Sequence, residues 1–268
     1  MSNARTVGKR GGLVIAILMA LFALFQYYSN TQYNSVLGEK QHVALSVDQE
    51  IALGLQSAPQ MAEQHGGLYP DERAQNYVKQ VGQKIVAASE AKESDYQFDF
   101  HLLADPQVIN AFALPGGQVF ITLALFNRLE NEDQLAGVLG HEIGHVIARH
   151  SAQRIAQQQL AEGLSGAAVL ATYDPNNPAS TQTAQIAAVI GNLVTMKYGR
   201  EDELQSDELG VRFMTEAGYD PNALIGVMEI LKAAAGGNRQ PEFFSTHPDP
   251  ENRIENIKAA IEKYSKGK

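Results

Sequence analysis

Two histidines and a glutamate stand at a spacing that could hold a metal ion and use it. His141 and His145 are four residues apart, with Glu142 between them. In an α-helix, residues four apart lie on one face, so two imidazoles could converge on one ion at about 2.0–2.1 Å each. Glu142 would lie about 100° round the helix from His141, beside the ion and not bound to it. It could then take a proton from a water molecule on the metal.

The alternative for these residues is a pair of core histidines on a buried helix. The motif has apolar neighbours, which indicate a buried face: Leu135, Val138, Leu139, Val146 and Ile147. Buried imidazoles and carboxylates without partners cost several kcal/mol together, and a metal ion supplies those partners. The pattern therefore favours a metal site, with one zinc ion per chain as the expected cofactor. Two histidines and a glutamate also accept other divalent ions, and metal availability usually decides between them.

A second helical stripe offers the third ligand that a catalytic zinc needs beside an open position. Glu203 and Asp207 lie four residues apart on the apolar side of a helix that begins near Arg200. We predict that Glu203 is the third ligand and that Asp207 accepts the free ring N–H of a ligating histidine. Arg200 is expected to neutralise part of this acidic cluster. The alternative for the two acids is a salt-bridged surface helix.

His247 and Arg253 form the last candidate group, on a loop and in the first turn of the final helix. A histidine on a rigid loop could stabilise an oxyanion, or occupy the open zinc position in a resting state. The alternative is an ordinary turn histidine. Arg253 is either a second oxyanion donor or part of a structural ion pair. His150 is not predicted to be a ligand, because it would lie about 140° away from His145 on a continuous helix.

The elements that must position these residues are mostly helices. Capping and periodicity predict helices over about 46–64, 70–89, 134–158, 184–197, 201–217 and 220–235, and a last one that begins at Asp249. Period-two alternation from Tyr96 to Leu102 predicts a strand, and Ala111–Leu114 with Gln118–Thr122 predict a strand pair. The expected fold class is α+β, with one small sheet at about residues 96–122 beside the metal-binding helix.

The N-terminal segment has the pattern of a membrane anchor. Residues 11–25 carry no polar side chain, three basic residues precede them, and Tyr27, Tyr28 and Tyr33 follow. This is the positive-inside pattern with an aromatic belt, and its length is near the short limit for a span. An uncleaved anchor is favoured over a cleaved signal peptide, and either places the remainder outside the cytoplasm. The expected divisions are 1–30 as anchor or signal, 31–45 as a polar tether, and 46–268 as the main domain.

Composition excludes several classes of protein. The 268 residues are 44% apolar and 19% charged, which is typical of a folded chain. The net charge of −9 argues against nucleic acid as a partner, because phosphate binding needs clustered Lys and Arg. There is no cysteine, so disulfides, a cysteine zinc site, a thiol nucleophile and a lipid-modified N-terminal cysteine are excluded.

The segment 161–198 lies between the metal motifs and is rich in alanine, glycine, valine and isoleucine. Its apolar run from Ala184 to Met196 is too short to span a bilayer. One interpretation of this segment is a helical hairpin packed on the core. The other is a mobile element, which either covers the cleft as a lid or dips into the membrane.

Four patterns in this order resemble the gluzincin metallopeptidase family of HtpX, the CAAX prenyl proteases and the periplasmic BepA and LoiP proteins. They are N-A-F-A-L-P-G-G at 110–117, H-E-x-x-H at 141–145, R-x-x-E-x-x-x-D at 200–207, and S-T-H-P at 245–248 with Arg253. The resemblance covers about residues 46–262 and implies a zincin-type fold. It also implies zinc-dependent endoproteolysis of membrane or misfolded envelope proteins, as in protein quality control.

The resemblance further implies that an extended substrate backbone pairs with the strand at Asn110, Ala111, Phe112 and Ala113. With one plausible span, the chain is closer to the periplasmic branch. This predicts a single-pass protein of the inner membrane with its main domain on the periplasmic side, or a soluble periplasmic protein if the N-terminal segment is cleaved. No tetratricopeptide-like tail is expected after Arg253. The partners would be protein or peptide substrates, and the oligomeric state stays open. Two alternatives remain: a chaperone-like client-binding module with a latched or idle zinc site, and a zinc hydrolase of non-peptide substrates.

Overall fold

The structure is a computed structural model that describes residues 2–172, 198–236, 241–248 and 252–265. These residues form two compact units. The N-terminal unit comprises residues 2–34, 39–44 and 152–172, and the main unit comprises residues 35–38, 45–151 and those from 198 onward. This division differs from the predicted one, because residues 152–172 group with the N-terminal segment.

In the described part of the chain, one helical stretch is long and apolar enough to cross a membrane. It is Gly11–Ser29, in the N-terminal unit. Helix α1 covers Ser2–Ser29, and strands β1 (Thr31–Asn34) and β2 (Glu39–His42) follow it as an antiparallel pair. A plain tether was expected here. The hairpin forms because its inward side chains satisfy each other, as the Asn34 amide donates to Gln41 Oε1 at 3.1 Å.

Two helices open the main unit where their capping residues predict them. Helix α2 covers Val47–Gln64 and begins with the expected capping box of Ser46 and Gln49. Helix α3 covers Glu72–Ala88, and the Asp71 carboxylate accepts from two backbone N–H groups of its first turn. Gly66 and Gly67 separate the helices with φ values of +80° and +81°, which an L side chain rarely adopts.

A three-stranded sheet follows, as the alternation and the apolar runs predict. Its strands are β3 (Asp99–Leu103), β4 (Ala111–Leu114) and β5 (Gln118–Thr122). The order is β3-β5-β4, with β5 parallel to β3 and antiparallel to β4. Strand β4 is thus an edge strand. The mostly helical α+β class with a small sheet is confirmed.

The helix that carries the H-E-x-x-H motif is shorter than predicted. Helix α4 (Leu123–Phe126) leads to α5 (Glu132–Ile147), whose N-cap is Asn131. Helix α5 ends because Arg149 adopts a left-handed φ of +57°. Helix α6 then covers His150–Thr172. The prediction of a single helix from 134 to 158 is therefore wrong. An arginine rarely adopts a positive φ, so nothing in the sequence indicates a helix break at Arg149.

The remaining described helices agree closely with the predicted ones. They are α7 (Arg200–Glu216), α8 (Ala223–Ala235) and α10 (Arg253–Ser265). A short helix between the last two, α9 (Phe243–Thr246), was not predicted. The predicted helix at 184–197, most of the segment discussed as a lid, and the Asp249 helix start lie outside the described residues.

Helices α5 and α7 cross at very short distance, and glycines make this possible. A Cβ at Gly144 would lie 2.9 Å from the carbonyl oxygen of Ser206. A Cβ at Gly210 would lie 3.1 Å from the backbone nitrogen of His141. Gly144 and Gly210 thus let the two backbones approach each other. This approach places the histidines of α5 directly against the acids of α7.

We predict that Gly144→Ala separates the two helices and lowers the free energy of unfolding by about 1–3 kcal/mol, the usual cost of overpacking. At this chain length the melting temperature falls by about 2–4 °C for each kcal/mol. Thermal unfolding of the full chain in detergent micelles measures the effect. Gly236→Ala is the matched control, since its added Cβ would come no closer than 3.5 Å to Ala233. Equal melting temperatures for the two variants would contradict the close-crossing argument.

Candidate metal centre

Four buried side chains from three parts of the main unit meet at one point. Helix α5 brings His141 and His145, α7 brings Glu203, and the turn after α9 brings His247. One ligand atom of each lies within 4.8 Å of the others. None of the four is more than 2% exposed. The structure therefore brings together the three predicted ligands and adds His247 to them.

The separations between the donor atoms fit a small cation. His141 Nε2 lies 3.0 Å from His145 Nε2 and 3.5 Å from Glu203 Oε2. Glu203 Oε1 lies 3.4 Å from His145 Nε2 and 3.1 Å from His247 Nδ1. Ligand atoms about 2.0–2.1 Å from a tetrahedral ion stand roughly 3.3–3.4 Å apart.

Several buried polar atoms of this cluster make no hydrogen bond, which also indicates a metal site. Both carboxylate oxygens of Glu142, together with Glu203 Oε2 and His247 Nε2, make no hydrogen bond among the described residues. Their nearest charged neighbours are ion-pair contacts: His247 Nε2 lies 3.7 Å from Glu142 Oε1, and Arg253 Nη1 lies 3.3 Å from Glu203 Oε2. Buried polar atoms without partners cost about 1–3 kcal/mol each, and more when charged. A cation bound by the nitrogen and carboxylate donors would compensate this charge, so the residues present fit a divalent metal.

Burial and charge set the protonation of these groups. Burial raises the pKa of Glu142, and the charges of His247 and His141 oppose this only in part. Burial would also raise the pKa of Glu203, but hydrogen bonds to His141, His145 and His247 hold it far below its usual range. Glu203 is thus a stable carboxylate, as a metal ligand must be, while Glu142 is a stronger base than a solvated glutamate.

Asp207 lies where its predicted contact requires. Its Oδ1 is 2.8 Å from His141 Nδ1, so the opposite ring nitrogen of His141 is directed towards the cluster. Burial would lower the pKa of His141, but its hydrogen bonds to Asp207 and Glu203 outweigh this and raise the pKa to about 9. The acids around His141 therefore favour positive charge at this position, which is also what a bound cation provides.

Arg253 makes the contacts of a buried structural ion pair, one of the two roles considered for it. Its Nε lies 2.6 Å from Asp207 Oδ2 and its Nη2 lies 2.9 Å from Asp207 Oδ1. Its Nη1 lies 3.3 Å from Glu203 Oε2. The structure does not bring Arg200 to the acids: that side chain is exposed at the start of α7. The positive charge expected from Arg200 comes from Arg253 instead.

Sequence reasoning missed the position of His150. The break at Arg149 turns its ring back to the metal helix, so that His150 Nδ1 lies 2.9 Å from His145 Nδ1. His150 is 1% exposed. The angular argument that placed it far from His145 assumed a continuous helix and is wrong. Tyr198 was also missed, and its ring packs 4.2 Å from that of His145, centroid to centroid.

The predicted substrate strand lies beside the metal helix but is covered. Ala113 lines a small cavity together with His145 and Arg149. Ala111 is fully buried, and Phe112 and Ala113 are each 9% exposed, whereas the predicted pairing with a substrate backbone needs an accessible edge. Asn110 is also buried: its amide nitrogen donates to Glu242 Oε1 at 3.3 Å, while its Oδ1 has no partner among the described residues.

We predict that Arg253→Met lowers the free energy of unfolding by about 3–5 kcal/mol, because it leaves buried Asp207 and Glu203 without their counter-charge. Urea unfolding of the full chain after chelation measures the loss. Arg212→Met is the control, since it removes ion pairs with Glu90 and Glu216 that are partly exposed and worth about 0–1 kcal/mol. Similar losses for the two variants would show that Arg253 does not hold the acids.

Together, the helix-borne histidine pair, the adjacent glutamate and the carboxylate from a second helix define a metallopeptidase type of site. The family model described as "Peptidase family M48" matches residues 72–261 of the chain. The chain belongs to this family, which confirms the resemblance to gluzincin metallopeptidases.

Curated relatives carry related names. The "Beta-barrel assembly-enhancing protease" of Escherichia coli (strain K12) is 30% identical over 224 residues, which are 81% of this chain and 45% of that protein. The protein of the same name from Yersinia pestis is 32% identical over the same shares. The "Mitochondrial metalloendopeptidase OMA1" of Schizosaccharomyces pombe is 31% identical over 234 residues, 86% of this chain and 66% of that protein. The chain thus spans about half to two thirds of the length of these relatives.

Proposed function

We propose that this chain is a zinc-dependent endopeptidase that hydrolyses peptide bonds of membrane-associated or misfolded envelope proteins. The observation that carries the proposal is the convergence of His141, His145 and Glu203 at one buried point, with the buried carboxylate of Glu142, which makes no hydrogen bond among the described residues, beside them. Helix α1 would anchor the chain in the inner membrane as a single span, with the main unit on the periplasmic side.

In this reaction His141, His145 and Glu203 would hold the ion. A bound zinc ion supplies Lewis-acid chemistry, which makes water a nucleophile near neutral pH and polarises the scissile carbonyl. Glu142 would accept the proton of the attacking water and pass it to the leaving amine nitrogen. Its raised pKa suits this exchange, because a base is most effective with a pKa near the working pH. Asp207 would keep His141 in the correct tautomer.

Strand β4 favours a peptide substrate over a non-peptide one. As an edge strand next to the metal helix it could pair with an extended substrate backbone, a contact that does not depend on sequence. Asn110 Oδ1, buried and unpaired among the described residues, could accept a substrate N–H. Since Ala111 to Ala113 are buried, the groups that cover this edge must move before a substrate can pair with it.

His247 is proposed to control access to the ion. Its Nδ1 lies 3.1 Å from Glu203 Oε1 and 3.4 Å from His141 Nε2, within the ligand cluster and not at its rim. This position supports the resting-state role, in which His247 occupies the position that a substrate needs. A site with four protein ligands is closed and typical of structural zinc. The same observation supports the second candidate function, a client-binding module with a latched site.

Glu142→Gln is expected to lower casein cleavage by about 10²–10⁴-fold, the usual contribution of a general base, while bound zinc stays near one ion per chain. The full chain in detergent micelles is assayed, with zinc content measured by elemental analysis. Glu208→Gln is the control, since Glu208 pairs with exposed Lys263 and not with the site. If the wild type holds zinc but does not cleave, the latched client-binding module is the better description. If it holds no metal, the histidines are structural.

His247→Ala separates the two roles considered for that histidine. As a resting-state ligand, its loss weakens zinc binding and raises the initial rate of cleavage at saturating zinc, because the position it occupied becomes free. As an oxyanion donor, its loss lowers the rate by about 10²–10³-fold and leaves zinc affinity unchanged. We expect the first result, measured as initial rates and zinc affinity on the same preparations.

A further inference from the structure

His145 has a buried partner that lies outside the group of candidate ligands. We propose that His150 is a positioning residue which, together with Gln205, fixes the tautomer and the orientation of His145 for metal binding. The inference rests on the proposed metal site and names a residue that the reaction itself does not use.

A chain of three short contacts carries the proposal. His145 Nδ1 lies 2.9 Å from His150 Nδ1, and His150 Nε2 lies 2.9 Å from Gln205 Oε1. The other ring nitrogen of His145, Nε2, lies in the ligand cluster, 3.4 Å from Glu203 Oε1. His145 and His150 are no more than 2% exposed, so bulk water does not compete for these contacts.

The direction of the hydrogen bonds follows from the chemistry of the last partner. A carbonyl oxygen only accepts, so His150 Nε2 must carry a proton. In a neutral imidazole the other nitrogen, Nδ1, is then an acceptor. The Ser206 hydroxyl lies 3.3 Å from this nitrogen and His145 Nδ1 lies closer, at 2.9 Å, so His145 Nδ1 donates in the shorter of the two contacts. This leaves the lone pair of His145 on Nε2, directed at the cluster. A doubly protonated His150 would donate from Nδ1 as well and force His145 to present an N–H to the ion.

The two ligand histidines are therefore held in different ways. His141 is oriented by the carboxylate of Asp207, whose charge Arg253 balances. His145 is oriented by the uncharged side chains of His150 and Gln205, and the nearest carboxylate on that side, Asp202, lies 3.8 Å from His150 Nε2 and is partly exposed. A further carboxylate would add negative charge to a buried site that already contains Glu142, Glu203 and Asp207. A neutral partner orients the ring without that electrostatic cost.

The backbone turn that brings His150 to His145 is itself held in place. Arg149 has a φ of +57°, which is unfavourable for a side chain of this kind. Its Nε donates to Glu50 Oε1 at 2.8 Å and its Nη2 donates to the carbonyl of Leu45 at 2.8 Å. The Tyr96 hydroxyl donates to the second Glu50 oxygen at 3.1 Å. This buried cluster stabilises the left-handed turn, so the position of His150 is built into the fold.

The test is the affinity of the full chain for Zn²⁺, measured in detergent micelles by competition with a chromophoric chelator. His150→Ala is expected to weaken zinc binding by about 10–100-fold, the usual effect of losing the partner of a ligating histidine. His101→Ala is the matched control: it removes a partly buried imidazole whose Nε2 likewise lies 3.0 Å from a glutamine Oε1, that of Gln118, but on the sheet. The control should change zinc affinity by less than about twofold.

Two further variants distinguish positioning from general packing. His150→Asn, whose amide oxygen can accept where Nδ1 did, should recover part of the affinity, whereas the apolar His150→Leu should not. Gln205→Ala should weaken binding in the wild type and add nothing in His150→Ala, because Gln205 acts through His150. Additive losses would indicate a merely structural role and overturn the inference. If His150→Ala does not fold, the comparison of Asn with Leu at position 150 decides.

The absorption spectrum of the Co²⁺-substituted protein gives a readout that is independent of cleavage. Its ligand-field bands should shift in His150→Ala and stay unchanged in His101→Ala, since only the first changes the orientation of a ligand. Wild-type zinc affinity in His150→Ala would overturn this inference alone. A wild-type chain that binds no zinc would overturn it together with the proposed function.

Discussion

The short crossing of α5 and α7 is the constraint on which the rest of the structure depends. An imidazole and a carboxylate can share one ion only if the backbones that carry them come within a side chain's length. Gly144 and Gly210 allow this, since a Cβ at either position would press on the opposite backbone. The same crossing sets Asp207 against His141 and leaves Gln205 within reach of His150. A methyl group at the crossing would therefore disturb the ligands, their orientation and the packing together.

Charge is the second consequence of this packing. Glu142, Glu203 and Asp207 are all buried within one small volume, and Arg253 is the buried arginine that faces two of them in the described part of the chain. Burial of several carboxylates is strongly unfavourable unless cations accompany them. The fold meets this requirement with one fixed arginine and with histidines that can hold a metal cation. Burial in the same volume also raises the pKa of Glu142, so this carboxylate is basic enough to accept a proton.

Much of the fold and of the site could be predicted because it depends on interactions between residues that are close in the sequence. Capping at Ser46 and Asp71 and the apolar runs at Ala111–Leu114 and Gln118–Thr122 give elements with nearly the predicted bounds. The hairpin in place of a tether, and the helix break at Arg149, were not predictable in the same way. Both depend on partners elsewhere: the paired polar side chains of the hairpin, and Glu50 for the turn.

The sequence by itself determined the helix with two histidines one turn apart, the acid between them and the pair of acids on a second helix, because a helix has one period and places such residues on one face. Tertiary structure decided which arginine meets the acids, and it selected Arg253 rather than the nearer Arg200. It also placed His247 in the ligand cluster, brought His150 to His145 and covered the edge of β4. These contacts join residues whose distance in space is set by packing and by one left-handed residue, and no local pattern in the chain encodes either.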